Sequence, residues 1–460
     1  MKSFPVQFTR IQALNNRDIR KGSYVLYWMQ QSQRAAYNHA LEYAVQAANQ
    51  LGLGVLVAFG LTDDYPETNL RHYTFMLEGL QETQASLSAQ GIKMVIQLGP
   101  PAEVAISLGR KAALIVCDRG YLRHQKAWRD QVARSAACRV VQVESDVVVP
   151  VEVVSHKAEY AARTIRPRIH RQLDDYLMPF PSSRVNKDTL DLRIDSLDLG
   201  DVNGLVRNLS LDRSVSAVSH FFKGGTSQAE ARFDDFLRQR FHHYIANRNQ
   251  PQTDDISHMS PYLHFGQVSP LYLALRVNSE TGNLMAAQES YLEELIVRRE
   301  LAMNFVHYNP HYDAFACLPQ WARTTLKQHR YDLRESVYTR SQLENAQTHD
   351  AYWNAAMREM KTTGLMHNYM RMYWGKKILE WCNTPEHAFR TTLAINNKFF
   401  LDGRDANSFA GVAWIFGMHD RAWFERPIFG KVRYMAASGL ERKCDIQAYV
   451  QKIDSLHSLS

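Results

Sequence analysis

The chain reads as an α/β N-terminal domain on a Rossmann-like parallel sheet, followed by an all-helical C-terminal domain. Three observations predict this. Five apolar, β-branched runs in residues 1–150 alternate with helix-length amphipathic stretches, at a spacing that suits parallel strands covered on both faces. After Pro150 such runs become rare, and from Thr226 they largely give way to helical periodicity. Six of the eight tryptophans (Trp321, Trp353, Trp374, Trp381, Trp414, Trp423) fall near the C-terminus, so the helical half concentrates the largest rings.

The predicted strands are SYVLYWM (23–29), GVLVAFGL (54–61), KMVIQL (93–98), AALIVCD (112–118) and RVVQVE (139–144). Helices are predicted between them over 34–50, 71–89, 100–110 and 122–136. Such a sheet can hold a nucleotide-like ligand at the carboxyl ends of its strands. The first strand, however, runs into WMQQSQR with neither a GxGxxG turn nor a Walker A loop, which disfavours a dinucleotide dehydrogenase and a P-loop ATPase. A basic helix is predicted over 156–177, and the polar segment after it reads as a connection. The expected division is therefore 1–178, a linker over 179–225, and a helical domain over 226–460. Within the last, the periodicity predicts helices over 226–247, 269–281, 286–307, 340–360, 365–382 and 385–395.

At 460 residues, 45% hydrophobic and 22% charged, the chain has the balance of a globular protein and not a disordered one. No apolar run suits a bilayer span and the start lacks an apolar signal region, so no membrane partner is expected. The five cysteines form no CxxC pair, which predicts reduced thiols, a cytoplasmic location and no metal site. The net charge of +7 hints at an acidic partner, but residues 251–460 carry 23 Lys+Arg against 22 Asp+Glu, so charge alone does not identify one.

Several segments of the helical half carry candidate chemistry. Ser257 and Ser260 precede Pro261 at a helix start, a pattern that serves either an ordinary cap or a phosphate site. Glu294 and Arg298 are i,i+4 neighbours, for which a solvated ion pair is the simplest account; a functional carboxylate there needs a pocket around it. Trp374 and Trp381 are seven apart and would share a helix face about 10 Å apart along the axis, suiting either core packing or stepwise electron transfer. Arg371 and Lys376–Lys377 add positive charge to that helix, where a flavin or a phosphate could use it. In LDGRDAN, Asp402 and Asp405 flank an arginine. HDRAWFERPIFGKVRYM (419–435) interleaves Arg421, Arg426, Lys431 and Arg433 with Trp423, Phe424, Phe429 and Tyr434, as a nucleic-acid surface or a plain basic helix–loop would.

Taken together, YWMQQSQRAAYNHAL, HKAEYAARTIRPRI, MSPYLHFGQVS, EELIVRREL, THDAYWNAAMREM, MHNYMRMYWGKKILEW, LDGRDAN and ERPIFGKVRYM resemble the class II cyclobutane pyrimidine dimer photolyases of the photolyase/cryptochrome superfamily over nearly the whole chain. The resemblance implies an α/β antenna domain and a helical FAD-binding domain, with the reduced flavin as the active form. It implies a deoxyribodipyrimidine photo-lyase that splits cyclobutane dimers flipped out of UV-damaged DNA, acting as a monomer in the cytoplasm or on the nucleoid. By the same resemblance, Tyr244, Ser257 and Ser260 meet the flavin's phosphates and ribityl chain. Arg371 and Asp402 form an ion pair beside its ring, and Asn396 lies near its N5 atom. Trp381, Trp374 and Trp353 match a tryptophan chain carrying electrons from the surface. Glu294 matches the carboxylate that hydrogen-bonds the dimer, Met372 and Trp414 pack on the flipped pyrimidines, and Trp423 and Arg433 enter the gap in the duplex. Arg421 and Lys431 hold phosphates.

Some positions depart from that pattern. Met303 stands where an acidic residue is usual, which is expected to alter packing near the lesion side. Ser32 and Tyr37 replace residues that are commonly Asp, which leaves open an 8-hydroxy-5-deazaflavin-type antenna or an empty antenna pocket. The alternative function is a cryptochrome-like blue-light photoreceptor without repair. A (6-4) photoproduct enzyme is disfavoured because no paired-histidine site is evident.

Overall fold

The computed structural model describes residues 6–179 and 182–457, and its six strands form one sheet. They are β1 (Ile11–Ala13), β2 (Tyr24–Trp28), β3 (Gly54–Leu61), β4 (Lys93–Leu98), β5 (Ala112–Asp118) and β6 (Arg139–Val143), in the order β1-β6-β5-β2-β3-β4. The five predicted runs are β2 to β6. All four pairings among them are parallel, and helices cover both faces, as continuous apolar runs require. β1 was not expected. It is three residues long, only partly buried, and pairs antiparallel with β6 in the register Ile11↔Val143, so the sheet is mixed at one edge. The predicted α/β-plus-helical class stands.

The expected linker does more than connect. The Thr189 hydroxyl accepts the Lys93 N–H at 2.8 Å, the Ser196 hydroxyl accepts that of Ile96 at 3.0 Å, and the Leu197 N–H donates to Ile96 O at 2.7 Å. This segment thus covers the otherwise open edge of β4, and it carries a short helix, Val202–Asn208. Phe180 and Pro181 of that linker, together with residues 1–5 and 458–460, lie outside the described residues.

Several predicted helices need correction. The one expected over 34–50 begins only at His39, because Asn38 caps it by accepting the Leu41 N–H. Arg34 lies outside it, buried, donating to Asp146 and to Gly266 O. The helix of 156–177 shortens to Ala162–Tyr176. The stretch 340–360 splits into Arg340–Glu344 and Ala351–Thr363, where Asp350 caps the second helix through the Trp353 N–H. The helices expected over 226–247 and 286–307 are interrupted by π-helical turns at Phe236–Arg240 and Glu293–Arg298. Helices Gln320–Gln328, Ala406–Ile415, Ala437–Lys443 and Ile446–His457 were not expected at all.

The helical body packs around Trp353, Met357, Met370, Tyr373 and Trp374, each essentially solvent-free. Gly375 lets the Asn368–Trp381 helix approach Ala406–Ile415 closely: a Cβ there would sit 2.1 Å from the Ile415 side chain. Met303 belongs to this core and does not itself line the large cavity of the helical body, whose wall its neighbours Leu301 and Ala302 join. All five cysteines are free and buried, and burial raises each thiol's pKa, to about 12 for Cys117 and Cys317. Among the described residues no helix is long and apolar enough to cross a membrane, and no cluster of three metal-ligating side chains forms.

Candidate functional site

The helical body encloses a cavity of about 540 Å³, within the roughly 300–1,000 Å³ usual for a small-molecule or cofactor site. Its walls bring together Tyr244, Ser257, Ser260, Glu294, Arg371, Met372, Trp374, Asn396, Asp402 and Trp414. Ten of the sixteen candidate residues therefore meet on one surface, from segments more than 150 positions apart.

Arg371 sits in the first turn of the Asn368–Trp381 helix and is held three ways. Its Nη2 donates to Asp402 Oδ2 at 2.9 Å, its Nε donates to Met366 O at 3.1 Å, and its guanidinium lies 3.9 Å from the centre of the Phe400 ring. Asp402 uses one oxygen in this pair. Its other oxygen, Oδ1, is buried without a partner, as is the indole N–H of Trp374. A buried polar group left unpaired costs about 1–3 kcal/mol, so two on one wall mark a place shaped for a ligand that both donates and accepts. Asn396 lies in the last turns of the Pro385–Phe399 helix, and its amide is oriented by donating to Asn397 Oδ1 at 3.0 Å and to Ser408 Oγ. Ser257 accepts from the Tyr291 hydroxyl at 3.0 Å, and Ser260 opens the short helix Ser260–His264. Asp405 and Asn407 also line the cavity, whereas Arg404, between Asp402 and Asp405 in the same turn, faces the sheet side.

Glu294 occupies the π-helical turn, and its geometry departs from the i,i+4 expectation. Widening the turn shifts the helix partners, so Arg298 reaches Glu293 at 3.1 Å, while Glu294 pairs with Arg248 at 2.5 Å. Arg248 also donates to Ser290. The carboxylate thus has its pocket. Sequence reasoning missed Arg248, which sits in an irregular stretch without periodicity.

The three tryptophans are arranged in series leading away from the cavity. Trp374 lines the wall; Trp353, from the neighbouring helix, donates its indole N–H to Trp374 O at 2.9 Å; and the Trp353 and Trp381 rings are 5.5 Å apart, edge to face. Trp353 therefore stands between the two residues expected to share a face. None of the three reaches solvent (0%, 1% and 3% exposed for Trp353, Trp374 and Trp381), so the expected surface end is not an indole. Tyr338 and the exposed His349 cover Trp381, at 5.3 and 5.4 Å.

Arg421, Trp423, Lys431 and Arg433 lie outside the cavity, on a loop instead of a helix. Arg433 links the two regions: its guanidinium stands 5.5 Å from the Trp414 ring centre and 4.3 Å from that of Trp423, and its Nε is 3.3 Å from Asp420. Arg421 covers the Trp423 ring at 4.9 Å, so two guanidiniums stand over this indole. Arg421 and Lys431 are exposed, and the neighbouring Phe424 is 91% exposed. Beneath Trp414, the buried Lys376 ammonium lies 5.0 Å from the ring centre and donates to Ile415 O. Burial pushes its pKa down to about 7, opposed by the nearby Asp420. Nothing in the sequence distinguished Lys376 from Lys377, which pairs with Glu380.

A second cavity, about 90 Å³, lies at the carboxyl ends of β2 and β3, between Gln30, Thr62, Tyr65, Trp128, His264 and Arg404. As shaped, it has room for only a few waters and would have to open to admit a tricyclic ring. Ser32 and Tyr37 do not line it: Ser32 is buried, with its N–H donating to Asp118, and Tyr37 packs on Tyr272 at 5.3 Å.

A parallel-sheet layer joined to a helical body, with one large cavity walled by indoles, an ion pair and unpartnered polar atoms, defines a cofactor-holding α/β-plus-helical protein. Residues 25–185 match the DNA photolyase family. The chain is similar to the deoxyribodipyrimidine photo-lyase of Methanothermobacter thermautotrophicus, 50% identical over 449 residues covering 97% of this chain and 98% of that one. It is 38% identical to that of Potorous tridactylus, covering 93% and 81%, and 37% identical to that of Arabidopsis thaliana, covering 96% and 93%. The chain belongs to the DNA photolyase family, within the photolyase/cryptochrome superfamily. Its fold matches those of a class III photolyase from Agrobacterium tumefaciens (TM-score 0.75, 17% identity, covering 94% and 87%) and a Synechocystis cryptochrome (TM-score 0.72, 17% identity, covering 93% and 88%).

Proposed function

We propose that this chain is a deoxyribodipyrimidine photo-lyase of the class II type, which binds FAD in the large cavity and repairs cyclobutane pyrimidine dimers in UV-damaged DNA. The observation that carries this reading is the single cavity on which Arg371–Asp402, Asn396 and Trp374 converge with Glu294, Met372 and Trp414. The cavity suits FAD: its volume falls in the cofactor range, and the unpartnered Asp402 oxygen and Trp374 N–H ask for a ligand with polar edges. When bound, reduced and illuminated, FAD supplies the single electron that opens the cyclobutane ring.

The protein's own residues bind, orient and shield. Arg371 and Asp402 would hold the ring system, with the guanidinium fixed by its stack on Phe400, and Asn396 would present an amide already oriented by Ser408. Tyr244, Ser257 and Ser260 would meet the phosphate and ribityl portions. Glu294 would accept hydrogen bonds from the dimer, with Arg248 fixing its carboxylate; Met372 and Trp414 would pack on the two pyrimidines. A dimer inside a duplex cannot reach this cavity, and photolyases are among the enzymes that take the target base out of the stack. Trp423 and Arg433 would fill the gap left behind, and the exposed Arg421 and Lys431 would grip the phosphates. Trp374, Trp353 and Trp381, buried and in series, support reduction of the cofactor from outside.

The deciding test is an absorbance spectrum of purified protein followed by repair of an irradiated oligonucleotide in blue light and in darkness. Flavin absorbance with light-dependent dimer loss is expected. Flavin with no repair in light would favour the photoreceptor reading, and no flavin would reject both.

A further inference from the structure

The loop bearing Trp423 and Arg433 is held down at its far end by an ion cluster outside the cavity. We propose that His329 is a positioning residue: as an imidazolium clamped between Asp332 and Glu425, it latches the 423–434 loop in the shape that meets DNA. This rests on the reading of that loop as the DNA-facing element.

The geometry carries the inference. His329 caps the C-terminus of the Gln320–Gln328 helix. Its Nδ1 is 2.6 Å from Asp332 Oδ2, and its Nε2 is 3.0 Å from Glu425 Oε1. A neutral imidazole has one N–H and can serve one carboxylate; only the imidazolium donates to both. The end of a helix, where backbone carbonyls lack partners, favours the same charge. Both carboxylates raise the histidine's pKa, with the Glu425 hydrogen bond the largest cause. None of the neighbouring cations bridges the two carboxylates. Arg330 faces Glu386 at 3.7 Å, Arg334 donates to Arg330 O and Asp332 O, Arg426 lies 5.2 Å from the Tyr434 ring centre, and Lys431 reaches only the other Glu425 oxygen, at 4.0 Å.

The same cluster grips backbone that resists its own shape. Asp332 Oδ2 also accepts the Ile428 N–H at 2.8 Å, and Thr325 Oγ1 accepts that of Lys431 at 3.0 Å. Ile428 has φ of +69°, a left-handed conformation that is strained for a β-branched residue and persists only where surroundings impose it. Gly430, at φ +52°, brings the chain so close that a Cβ would lie 3.0 Å from the His329 ring. A strained turn held by a doubly donating histidine loses one side of its clamp when that histidine loses its proton. The sign follows: the latch is complete below the raised pKa of His329 and weakens as pH rises through it.

The test uses the full-length flavoprotein with His329→Gln and His329→Lys variants, at about pH 6 and about pH 8.5, on either side of a histidine raised from its ordinary value near 6.5. Amide-exchange protection factors of residues 424–431, measured without DNA, should fall in wild type as pH rises, be low at both pH values in His329→Gln, and be high at both in His329→Lys. Kd for a dimer-containing duplex should follow, weakening roughly two- to five-fold wherever the latch is open, the scale of a partly exposed ion pair. Cofactor absorbance should stay unchanged throughout. Wild-type protection and affinity in His329→Gln at the lower pH would overturn the proposal, and so would altered protection with unaltered affinity. If wild type showed no preference for damaged duplex, the DNA reading of the loop would fail, and the exchange data alone would decide the latch.

Discussion

Replacing Asp402 with asparagine tests whether the wall of the large cavity is built for a cofactor. The side chain keeps its shape but loses its charge, leaving Arg371 without a counter-ion. At the 2.9 Å separation of this pair, the Coulombic attraction is roughly 6 kcal/mol at an effective dielectric near 20. Desolvation of side chains only 24% and 9% exposed offsets most of that, so about 2 kcal/mol is the net scale for the empty protein. The larger consequence concerns the ligand. Asp402 Oδ1 is buried and unpartnered, so a bound donor there would gain a charge-assisted hydrogen bond worth about 1.5–3 kcal/mol. Asp402→Asn should therefore weaken FAD retention by about ten- to a hundred-fold. The assay is flavin fluorescence released on serial dilution of the holoprotein, with a thermal melt of the flavin-free protein as the folding control. A variant that is folded and retains FAD within about three-fold of wild type would refute the argument that this oxygen awaits a ligand.

Other substitutions probe the rest of the site. Trp353→Phe should cost about 1–2 kcal/mol through the lost hydrogen bond to Trp374 O and the smaller ring, and should stop photoreduction while chemically reduced protein still repairs; photoreduction at the wild-type rate would reject the series path. Glu294→Gln should leave flavin bound yet lower repair on the order of ten-fold, measured as dimers split per absorbed photon, because a neutral amide steadies the dimer less than a carboxylate fixed by Arg248. Lys376→Met should change the pH dependence of stability. With a folded pKa near 7 against about 10.4 unfolded, the unfolded chain holds the extra proton between those values, so this lysine makes wild-type stability rise with pH across that window. Denaturant titrations should show that rise shrink in the variant, with its advantage, a few kcal/mol at most, largest below pH 7.

The parts of this molecule that the sequence discloses are those whose periodicity is regular. β2, β3 and β5 are nearly continuous apolar runs because both of their faces are covered, β4 and β6 keep apolar centres broken only by Gln97 and Gln142, and all five stand where expected. β1 is too short and too exposed to have a pattern. The two π-turns show the limit more sharply. Counting by 3.6 paired Glu294 with Arg298, but one widened turn gave Arg298 to Glu293 and freed Glu294 for Arg248, forty-six positions away. The Ala406–Ile415 helix, which carries Trp414, was hidden because its residues are apolar nearly all round and show no amphipathic stripe. Of the cavity-lining residues, Ser257, Ser260, Glu294, Arg371, Trp374 and Asp402 gave local signals that left their roles open, while Tyr244, Met372 and Asn396 were reachable only through the resemblance, since these residues meet by packing and share no local motif.

The five buried thiols open a practical route into this protein. Each is sealed from solvent and pushed toward its unreactive protonated form, so ordinary alkylating probes should pass all of them by. A cysteine introduced at Phe424, which is 91% exposed beside Trp423, would be the sole accessible target for such chemistry. A fluorophore attached there would report loop movement against a silent background, with no native cysteine to be removed first.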